Sequence, residues 1–309
     1  MIRSFLRRLV KGRYSFLEPQ RYVFPAKESG LESGVLQTVQ MMRGDTPPAL
    51  ILHGVMPRSG TVFASELLSQ HPDLFTYPLG TWEFPFLRLK GDVQGLYEKY
   101  LHGYPVDSEQ ISGDDFLALF GASMIARLYA SVPDGRRMLL KIPNVEYLPY
   151  FYTAFPCENL ILLIRDGRDV VSSTLKTWPT FSFVDVCNWW NKSARLMIQC
   201  NERFSGRPNY YFTRYEAVVK NPAEFVQGVC QQFGLDPGRY AFEKVNDLPL
   251  YGSSTAGAGK SVNWGPTGKP KGFNPIGRWS TWSNGQKRTF KKIAGQTLLD
   301  LGYCDDLNW

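Results

Sequence analysis

The residues best suited to chemistry lie in a short loop at positions 54–61, with the sequence GVMPRSGT, between an apolar run and a helical pattern. In such a loop, successive backbone N–H groups and the start of a helix point toward one spot, and both favour an anion. Gly60 permits close approach of the backbone to a ligand, and Arg58 adds a positive charge. The sequence therefore predicts a phosphate-binding loop whose contacts come from Pro57, Arg58, Ser59, Gly60 and Thr61.

This loop differs from the phosphate loop of NTPases. That motif has two glycines separated by four residues, followed by a lysine and then a serine or threonine. Here five residues separate Gly54 from Gly60, and the residue after Gly60 is Thr61 rather than lysine. Because that lysine normally binds the β- and γ-phosphates, a P-loop nucleotide kinase or NTPase is the weaker alternative.

A second candidate phosphate site follows the apolar run 159–164, with the sequence NLILLI. Arg165 comes directly after this predicted strand, and a guanidinium group at a strand end can bind a phosphate through two parallel hydrogen bonds. Ser173 lies eight residues later, about two turns along a predicted helix, and can reach the same anion. Alternatively, the charges of RDGRD at 165–169 alternate in sign and form only surface salt bridges.

Together the two motifs resemble those of PAPS-dependent sulfotransferases, where PAPS is 3′-phosphoadenosine-5′-phosphosulfate. PRSGT at 57–61, followed by a helix that ends in His71-Pro72, resembles the loop that holds the 5′-phosphosulfate. Arginine inside the loop is closer to the bacterial, tyrosylprotein and glycan branches, since the cytosolic branch usually has lysine there. The resemblance implies that Arg165 and Ser173 hold the 3′-phosphate, and it covers about residues 48–302.

Two further segments carry a weaker resemblance to this family. Tyr215, in the sequence RYE before Asn221-Pro222, resembles a tyrosine that lies near the nucleotide. Lys271-Gly272, followed by Gly277-Arg278-Trp279, resembles the late segment that closes over the 3′-phosphate, with a spacing two residues longer than in the cytosolic branch. The resemblance therefore implies that Tyr215, Lys271 and Gly272 also bind the nucleotide.

Sulfuryl transfer requires an acceptor that loses a proton and groups that stabilise charge on the transferring oxygens. Lys141, near the end of the predicted strand 137–142, resembles the family's catalytic lysine, and we expect it to stabilise this charge together with Arg58. The cytosolic branch has a histidine two residues later, where this chain has Pro143. Glu83, in the aromatic sequence WEFPF, resembles the catalytic glutamate of other branches. We expect the aromatic neighbours to desolvate its carboxylate and make Glu83 the general base. Otherwise, Lys141 is a surface residue and Glu83 an ordinary loop residue.

Composition limits the partners of the chain. Its 309 residues carry a formal net charge of +7, which favours anionic ligands, but the basic residues are spread along the sequence and do not indicate nucleic-acid binding. Three histidines occur, and no histidine–cysteine group has the spacing of metal ligands, so we expect no metal. The five cysteines form no CxxC pair, and without a signal peptide they favour reduced thiols in a cytoplasmic protein.

The first 13 residues form a basic amphipathic pattern with no acidic residue. Such a helix either lies peripherally on an anionic membrane or packs its apolar face against the protein. No apolar run reaches the 18 residues that predict a membrane-spanning helix. We expect residues 1–47 to form an N-terminal extension and residues 48–309 to form the sulfotransferase domain.

Apolar runs and helical patterns alternate along this domain. Predicted strands occupy 48–55, 137–142, 159–164 and 209–212, and predicted helices occupy 61–70, 166–177, 183–203, 222–233 and 287–301. This alternation predicts a single α/β domain with a P-loop-type parallel sheet and helices on both faces. Ligands bind at the carboxyl ends of such strands, where the candidate residues lie. Residues 250–277, rich in glycine and proline, form either a functional loop or a poorly ordered segment.

The sequence thus favours an enzyme that transfers a sulfuryl group directly from PAPS to a hydroxyl or amine and releases 3′,5′-ADP. Small molecules, glycans and lipid-linked groups are the favoured acceptors, a peptide tyrosine stays open, and the oligomeric state is not predicted. The aromatic residues from Trp178 to Trp190 either line the acceptor site or belong to the core. A module that binds an anionic glycan or lipid without catalysis is a second alternative, against which the retained candidate residues argue.

Overall fold

A computed structural model of the chain describes residues 19–24, 31–76, 83–106, 110–245, 248–253, 263–269 and 271–309. The predicted amphipathic segment at residues 1–13 lies outside these ranges, so both of its interpretations remain predictions. Among the described residues, no helix is long and apolar enough to cross a membrane.

A five-stranded parallel sheet forms the centre of the fold. In chain order, its strands are β1 (Leu50–Gly54), β2 (Leu74–Phe75), β3 (Arg137–Ile142), β4 (Asn159–Ile164) and β5 (Tyr210–Arg214). Their spatial order is β2-β3-β1-β4-β5, so β1 lies between β3 and β4. This sheet, with helices on both faces, confirms the predicted α/β fold class.

The inner strands are continuous apolar runs because both faces of the sheet are covered. Every residue of β1 and β4 is buried. In register, His53 of β1 lies between Ile142 of β3 and Leu162 of β4. The central strands therefore end at nearly the same level, which brings the residues that follow them to one edge of the sheet.

Helices cover the two faces of this sheet. Those described are α1 (Ser33–Arg43), α2 (Thr61–Ser69), α3 (Lys90–Gly103), α4 (Gly113–Tyr129), α5 (Phe151–Ala154), α6 (Gly167–Thr177), α7 (Phe183–Phe204), α8 (Tyr215–Lys220), α9 (Pro222–Phe233) and α10 (Asn284–Asp300). The five predicted helices correspond to α2, α6, α7, α9 and α10. α10 begins three residues earlier than predicted because Ser283 and Gln286 form a capping box at its start.

Side chains of the sheet alternate between two hydrophobic clusters, one on each face. On one face, Leu50 and Leu52 of β1 belong to a cluster with buried residues of α2 and α9. On the other face, Ile51 belongs to a cluster that includes Trp190 of α7 and Phe290 of α10. The sheet is therefore the middle layer of the domain, and its carboxyl edge is left open for a site.

The sequence patterns did not predict α1, α3, α4, α5 and α8. α4 begins at a capping box in which the Ser112 hydroxyl accepts from the backbone N–H of Asp115 and the Asp115 carboxylate accepts from the backbone N–H of Ser112. Such a box before an apolar run signals a helix start, so α4 was recognisable. α1 has no side-chain cap at its start, and it packs on α4 mainly through Val39.

Part of the predicted N-terminal extension packs on the domain. Tyr22 is buried, and Arg21 forms an ion pair with Glu146 at 3.0 Å. Arg43, at the end of α1, forms a buried ion pair of 2.7 Å with Glu158, just before β4. Loss of either member of such a pair leaves a buried charge without compensation, so this pair ties α1 to the sheet. The domain boundary at residue 47 remains a prediction.

The glycine-rich segment contains two short antiparallel strands, β6 (Leu250–Ser253) and β7 (Asn263–Thr267). Residues 254–262 between them lie outside the described ranges. The described part is therefore a paired ribbon rather than a simple connection. The chain then reaches a 3₁₀ turn at Arg278–Thr281.

The burial of His53 on β1 can be tested by measuring the free energy of unfolding as a function of pH. Its ring is buried, and Nδ1–H donates to the carbonyl oxygen of Asn144 at 2.8 Å. Burial lowers the pKa of His53 from 6.5 to about 4. Between these values the unfolded chain binds a proton that the folded chain does not, so the free energy of unfolding decreases as the pH falls from 6.5 to 4.

We expect His53→Asn, which removes the titrating ring and keeps a donor, to flatten this decrease by up to ~1.4 kcal/mol per pH unit. Urea unfolding of both proteins between pH 4 and 6.5 measures the effect, because the other titrating groups are shared. Parallel stability curves for the two proteins would contradict the burial of a neutral imidazole at this position.

Candidate active site

A pocket of about 410 Å³ opens at the carboxyl ends of the central strands. Most of the predicted site residues line it, namely Pro57, Arg58, Gly60, Thr61, Glu83, Lys141, Arg165, Ser173 and Tyr215. The other lining residues are Val62, Phe63, Pro143, Trp178, Val219, Pro222, Val245, Pro249, Lys269, Phe273, Pro275 and Arg278. The structure thus brings both candidate phosphate motifs and the predicted catalytic residues to one cavity.

The loop between β1 and α2 has an unusual backbone. Arg58 and Gly60 both have positive φ, 77° and 93° respectively, and Gly60 directly precedes α2. A Cβ atom on Gly60 would lie 2.2 Å from the ring of Tyr215, and one on Gly54 would lie 2.2 Å from Oγ of Ser59. The two glycines are therefore required by close contacts, and Thr61 begins the helix at the pocket wall.

Ser59 belongs to this loop but does not line the pocket. Its side chain is fully buried, and its Oγ has no hydrogen-bond partner among the described residues. A buried hydroxyl group without a partner is uncommon, so Ser59 is the predicted loop contact whose position differs most from the expectation.

Arg165 follows β4 and crosses to two other segments. One terminal nitrogen of its guanidinium group donates to the carbonyl oxygen of Arg58 at 2.8 Å, and the other donates to that of Pro275 at 2.6 Å. The guanidinium carbon lies 4.2 Å from the centre of the Tyr215 ring, a distance at which cation–π attraction is effective. The Nε atom is buried and has no hydrogen-bond partner among the described residues.

Arg58 joins the two candidate phosphate motifs directly, because its Nε donates to Oγ of Ser173 at 3.1 Å. Burial, together with the nearby charges of Arg165 and Arg278, lowers the pKa of Arg58 to about 10. The pKa of Arg278 is also lowered, by burial and then by the charge of Arg165. The pocket therefore concentrates positive charge, and an anion would be attracted to it.

Glu83 and Lys141 contact each other on the pocket wall. Glu83 forms an isolated parallel bridge with Lys141, and its Oε1 accepts from Nζ at 3.1 Å. The Lys141 side chain is 5% exposed, whereas the Glu83 side chain is 49% exposed. The predicted desolvation of Glu83 is therefore not observed. Its aromatic neighbours Phe84 and Phe86 are buried in the core, because successive side chains of an extended segment point to opposite sides.

The late segment differs from the expectation. Lys271 and Gly272 are exposed, Gly272 has φ of 74°, and neither residue lines the pocket. Lys269 and Arg278, on either side of this turn, line it instead. The turn thus directs Lys271 outward, and the basic residue that reaches the arginine cluster is Arg278, which the sequence analysis noted only as part of a family segment.

The structure also locates the aromatic and histidine side chains near the predicted motifs. Trp178 lines the pocket, whereas Trp190 is buried in the core. Phe63 of α2 lines the pocket beside Tyr215, with 6.4 Å between the two ring centres. His71 lies two residues past the end of α2, and its Nε2–H donates to the carbonyl oxygen of Asp236 at 3.0 Å. Among the described residues, no group of three or more His, Cys, Asp or Glu side chains is arranged to hold a metal.

Comparison with known proteins decides the family. Residues 50–237, more than half of the chain, match the sulfotransferase family. The chain belongs to the sulfotransferase family. This membership confirms the resemblance drawn from PRSGT and the Arg165 motif, and it makes the protein a transferase of sulfuryl groups in general terms.

Several known proteins are similar to this chain over different shares of their lengths. The nodulation protein NoeE of Sinorhizobium fredii is 26% identical over 302 residues, which cover 86% of this chain and 69% of that protein. Protein-tyrosine sulfotransferase 2 of Gallus gallus is 24% identical over 194 residues, covering 60% of this chain and 51% of that protein. The sulfotransferase domain of the Synechococcus PCC 7002 olefin synthase has a TM-score of 0.50 at 18% identity, covering 82% of this chain and 96% of that domain. This last similarity concerns the fold alone.

The close contact between Gly60 and Tyr215 is testable with Gly60→Ala. An alanine in the left-handed region costs roughly 1–2 kcal/mol, and here its Cβ would also displace the Tyr215 ring. Gly135→Ala is a matched control, because Gly135 also has positive φ but has open space around it. Chemical denaturation should show a larger loss of stability for Gly60→Ala than for Gly135→Ala. Equal losses would mean that the Tyr215 contact does not restrict this position.

Proposed function

We propose that this pocket binds PAPS, transfers its sulfuryl group to an acceptor hydroxyl or amine, and releases 3′,5′-ADP. The observation that carries the proposal is the direct contact between the two candidate phosphate motifs, in which Arg58 donates to Ser173 and Arg165 donates to the Arg58 carbonyl oxygen. A nucleotide with phosphate groups on both its 3′ and 5′ positions would use both motifs at once. ATP or GTP, with a single phosphate chain, would leave one motif without a role.

The positive charge of the pocket supports this ligand. Arg58, Arg165 and Arg278 all line it, and burial weakens the screening of their charges by water. The start of α2 points its free backbone N–H groups at the loop, which favours an anion. We assign the 5′-phosphosulfate to residues 57–61 and the 3′-phosphate to Arg165 and Ser173.

The apolar part of the pocket suits a purine ring. Phe63 and Val219 line it near Tyr215, and the Phe63 and Tyr215 rings meet edge to face. Aromatic side chains stack well on nucleobases. We therefore propose that Phe63 contacts the adenine together with Tyr215.

Glu83 and Lys141 are the proposed reaction centre. The exposed Glu83 carboxylate accepts the proton of the acceptor hydroxyl or amine as the acceptor oxygen or nitrogen forms its bond to sulfur. The bond between sulfur and the 5′-phosphate oxygen breaks in the same direct transfer, and its electron pair leaves with 3′,5′-ADP. The buried ammonium group of Lys141, together with Arg58, stabilises the negative charge on the transferring oxygens and the departing phosphate.

The acceptor is proposed as a hydroxyl or amine on a small molecule, a glycan or a lipid-linked carrier. Glu83, Pro143 and Trp178 line the pocket, and an indole ring offers an apolar face to a sugar or an aromatic acceptor. The half-exposed position of Glu83 leaves room for an acceptor to approach from solvent.

Calorimetric titration without magnesium tests the nucleotide assignment. We expect 3′,5′-ADP to bind more tightly than 5′-AMP or ATP, because only 3′,5′-ADP reaches both phosphate motifs. Ser173→Ala and Arg165→Ala should weaken 3′,5′-ADP by about 10- to 100-fold, the effect of losing a hydrogen bond to a charged group. Arg127→Ala, on the exposed side of α4, is the control. Tight binding of ATP with magnesium, or indifference to the 3′-phosphate, would contradict the proposal.

Glu83→Gln tests the general base. We expect this substitution to lower kcat by about 100-fold or more while leaving the affinity for 3′,5′-ADP unchanged, since the amide cannot take the acceptor proton. The assay follows sulfur-labelled PAPS with phenolic, sugar and lipid-linked hydroxyl acceptors. Glu66→Gln is the matched control. Burial raises the pKa of Glu66 on α2, and the nearby Lys141 charge offsets part of that rise, but Glu66 does not line the pocket. A loss with Glu66→Gln and none with Glu83→Gln would overturn the assignment.

A further inference from the structure

The segment Pro275–Trp279 is fastened to the phosphate motif that follows β4. The carbonyl oxygen of Pro275 accepts from Arg165 at 2.6 Å. The backbone N–H groups of Gly277 and Arg278 donate to the two carboxylate oxygens of Asp169, at 2.9 Å and 2.6 Å. Residues more than a hundred positions apart in sequence are therefore joined by three hydrogen bonds, and all of them end in the first turn of α6 or just before it.

Asp169 is suited to fixing this segment in one position. Its side chain is fully buried, so water does not compete for its oxygens. It accepts at both oxygens from adjacent backbone N–H groups, at the start of the 3₁₀ turn Arg278–Thr281. A carboxylate in this place satisfies donors that the turn itself leaves open. Gly277 has φ of 80°, a backbone conformation that aims both N–H groups at Asp169 and favours glycine.

Arg168, the residue before Asp169, holds the far end of the same segment. Its guanidinium carbon lies 4.1 Å from the centre of the Trp279 ring and 4.7 Å from that of the Trp309 ring. The guanidinium itself is fixed by Asp166 at 2.7 Å and by the carbonyl oxygen of Tyr303 at 2.9 Å. Arg278 is thus held between two anchored neighbours, Gly277 and Trp279.

These contacts fix the backbone of Arg278, from which its side chain extends. Arg278 lines the pocket, and it lies near enough to Arg165 and Arg58 for the three charges to affect one another. Arg165 is the neighbour with the largest charge effect on Arg278. Lys271, the residue expected to bind phosphate from this part of the chain, is exposed and outside the pocket lining.

We propose that Arg278 is a further ligand of the 3′-phosphate group and that Asp169 is the positioning residue that delivers it. This inference rests on the proposed function and adds a second guanidinium group, that of Arg278, to the Arg165 guanidinium and the Ser173 hydroxyl group at the 3′-phosphate. The ligand recognised is a phosphate monoester dianion, whose two charges suit two guanidinium groups that bind it from different sides.

The test is calorimetric titration of the full chain with 3′,5′-ADP and with 5′-AMP, from which the ratio of the two affinities is taken. Arg278→Gln should weaken 3′,5′-ADP by about 10- to 100-fold and change 5′-AMP by less than about 2-fold, because 5′-AMP lacks the 3′-phosphate. Arg278→Lys should restore part of the ratio. Asp169→Asn should shift the ratio in the same direction by a smaller amount, since an amide offers one acceptor oxygen instead of two. Arg288→Gln removes the same charge from the exposed face of α10 and should leave the ratio unchanged.

The outcomes separate this inference from the proposed function. A wild-type protein that binds 3′,5′-ADP no more tightly than 5′-AMP contradicts the proposed function itself. A wild-type protein that discriminates, with an Arg278→Gln variant that discriminates equally well, overturns only the role of Arg278. Loss of discrimination in Lys271→Gln instead would assign the contact to Lys271. If Asp169→Asn folds with an unchanged ratio, or weakens both nucleotides equally, Asp169 has no positioning role. If it does not fold, the comparison of Arg278→Gln with Arg278→Lys still decides the ligand.

Discussion

Like charges are brought together in the pocket, since the guanidinium groups of Arg58, Arg165 and Arg278 all line it. Burial and mutual repulsion both lower the pKa values of Arg58 and Arg278. Repulsion between such groups is strong where water is scarce, so the surrounding structure must hold them against it. An anion bound in the same pocket would offset this repulsion. The electrostatic stability of the site therefore depends on its ligand.

The parallel sheet supplies the support for this arrangement. The loop after β1, Lys141 on β3, Arg165 after β4 and Tyr215 after β5 come from four neighbouring strands, whose carboxyl ends meet at one edge. Close packing then fixes the details, because Gly60 touches the Tyr215 ring that Arg165 also faces. Arg58 is thus held by the Ser173 hydroxyl group, and Arg165 is held by two backbone carbonyl oxygens and the Tyr215 ring.

Local patterns predicted most of this framework, and long-range contacts explain most of what they missed. The apolar runs 137–142 and 159–164 predicted β3 and β4 with their observed bounds, because strands buried on both faces need little beyond continuous apolarity. The burial of Glu83 was predicted from its aromatic neighbours, yet those rings turn into the core and Glu83 faces solvent. The backbone N–H of Arg278 donates to Asp169, more than a hundred residues away in sequence, and no local pattern carries that information. α4, by contrast, was missed although its capping box is visible in the sequence.

The most direct measurement is a crystal structure of the protein in complex with 3′,5′-ADP. We expect the 5′-phosphate to lie on the loop 57–61, the 3′-phosphate to lie between Arg165 and Ser173, and the adenine to lie against Phe63 and Tyr215. A nucleotide bound outside this pocket, or bound with its 3′-phosphate directed away from Arg165 and Ser173, would contradict the assignment of the two phosphate motifs.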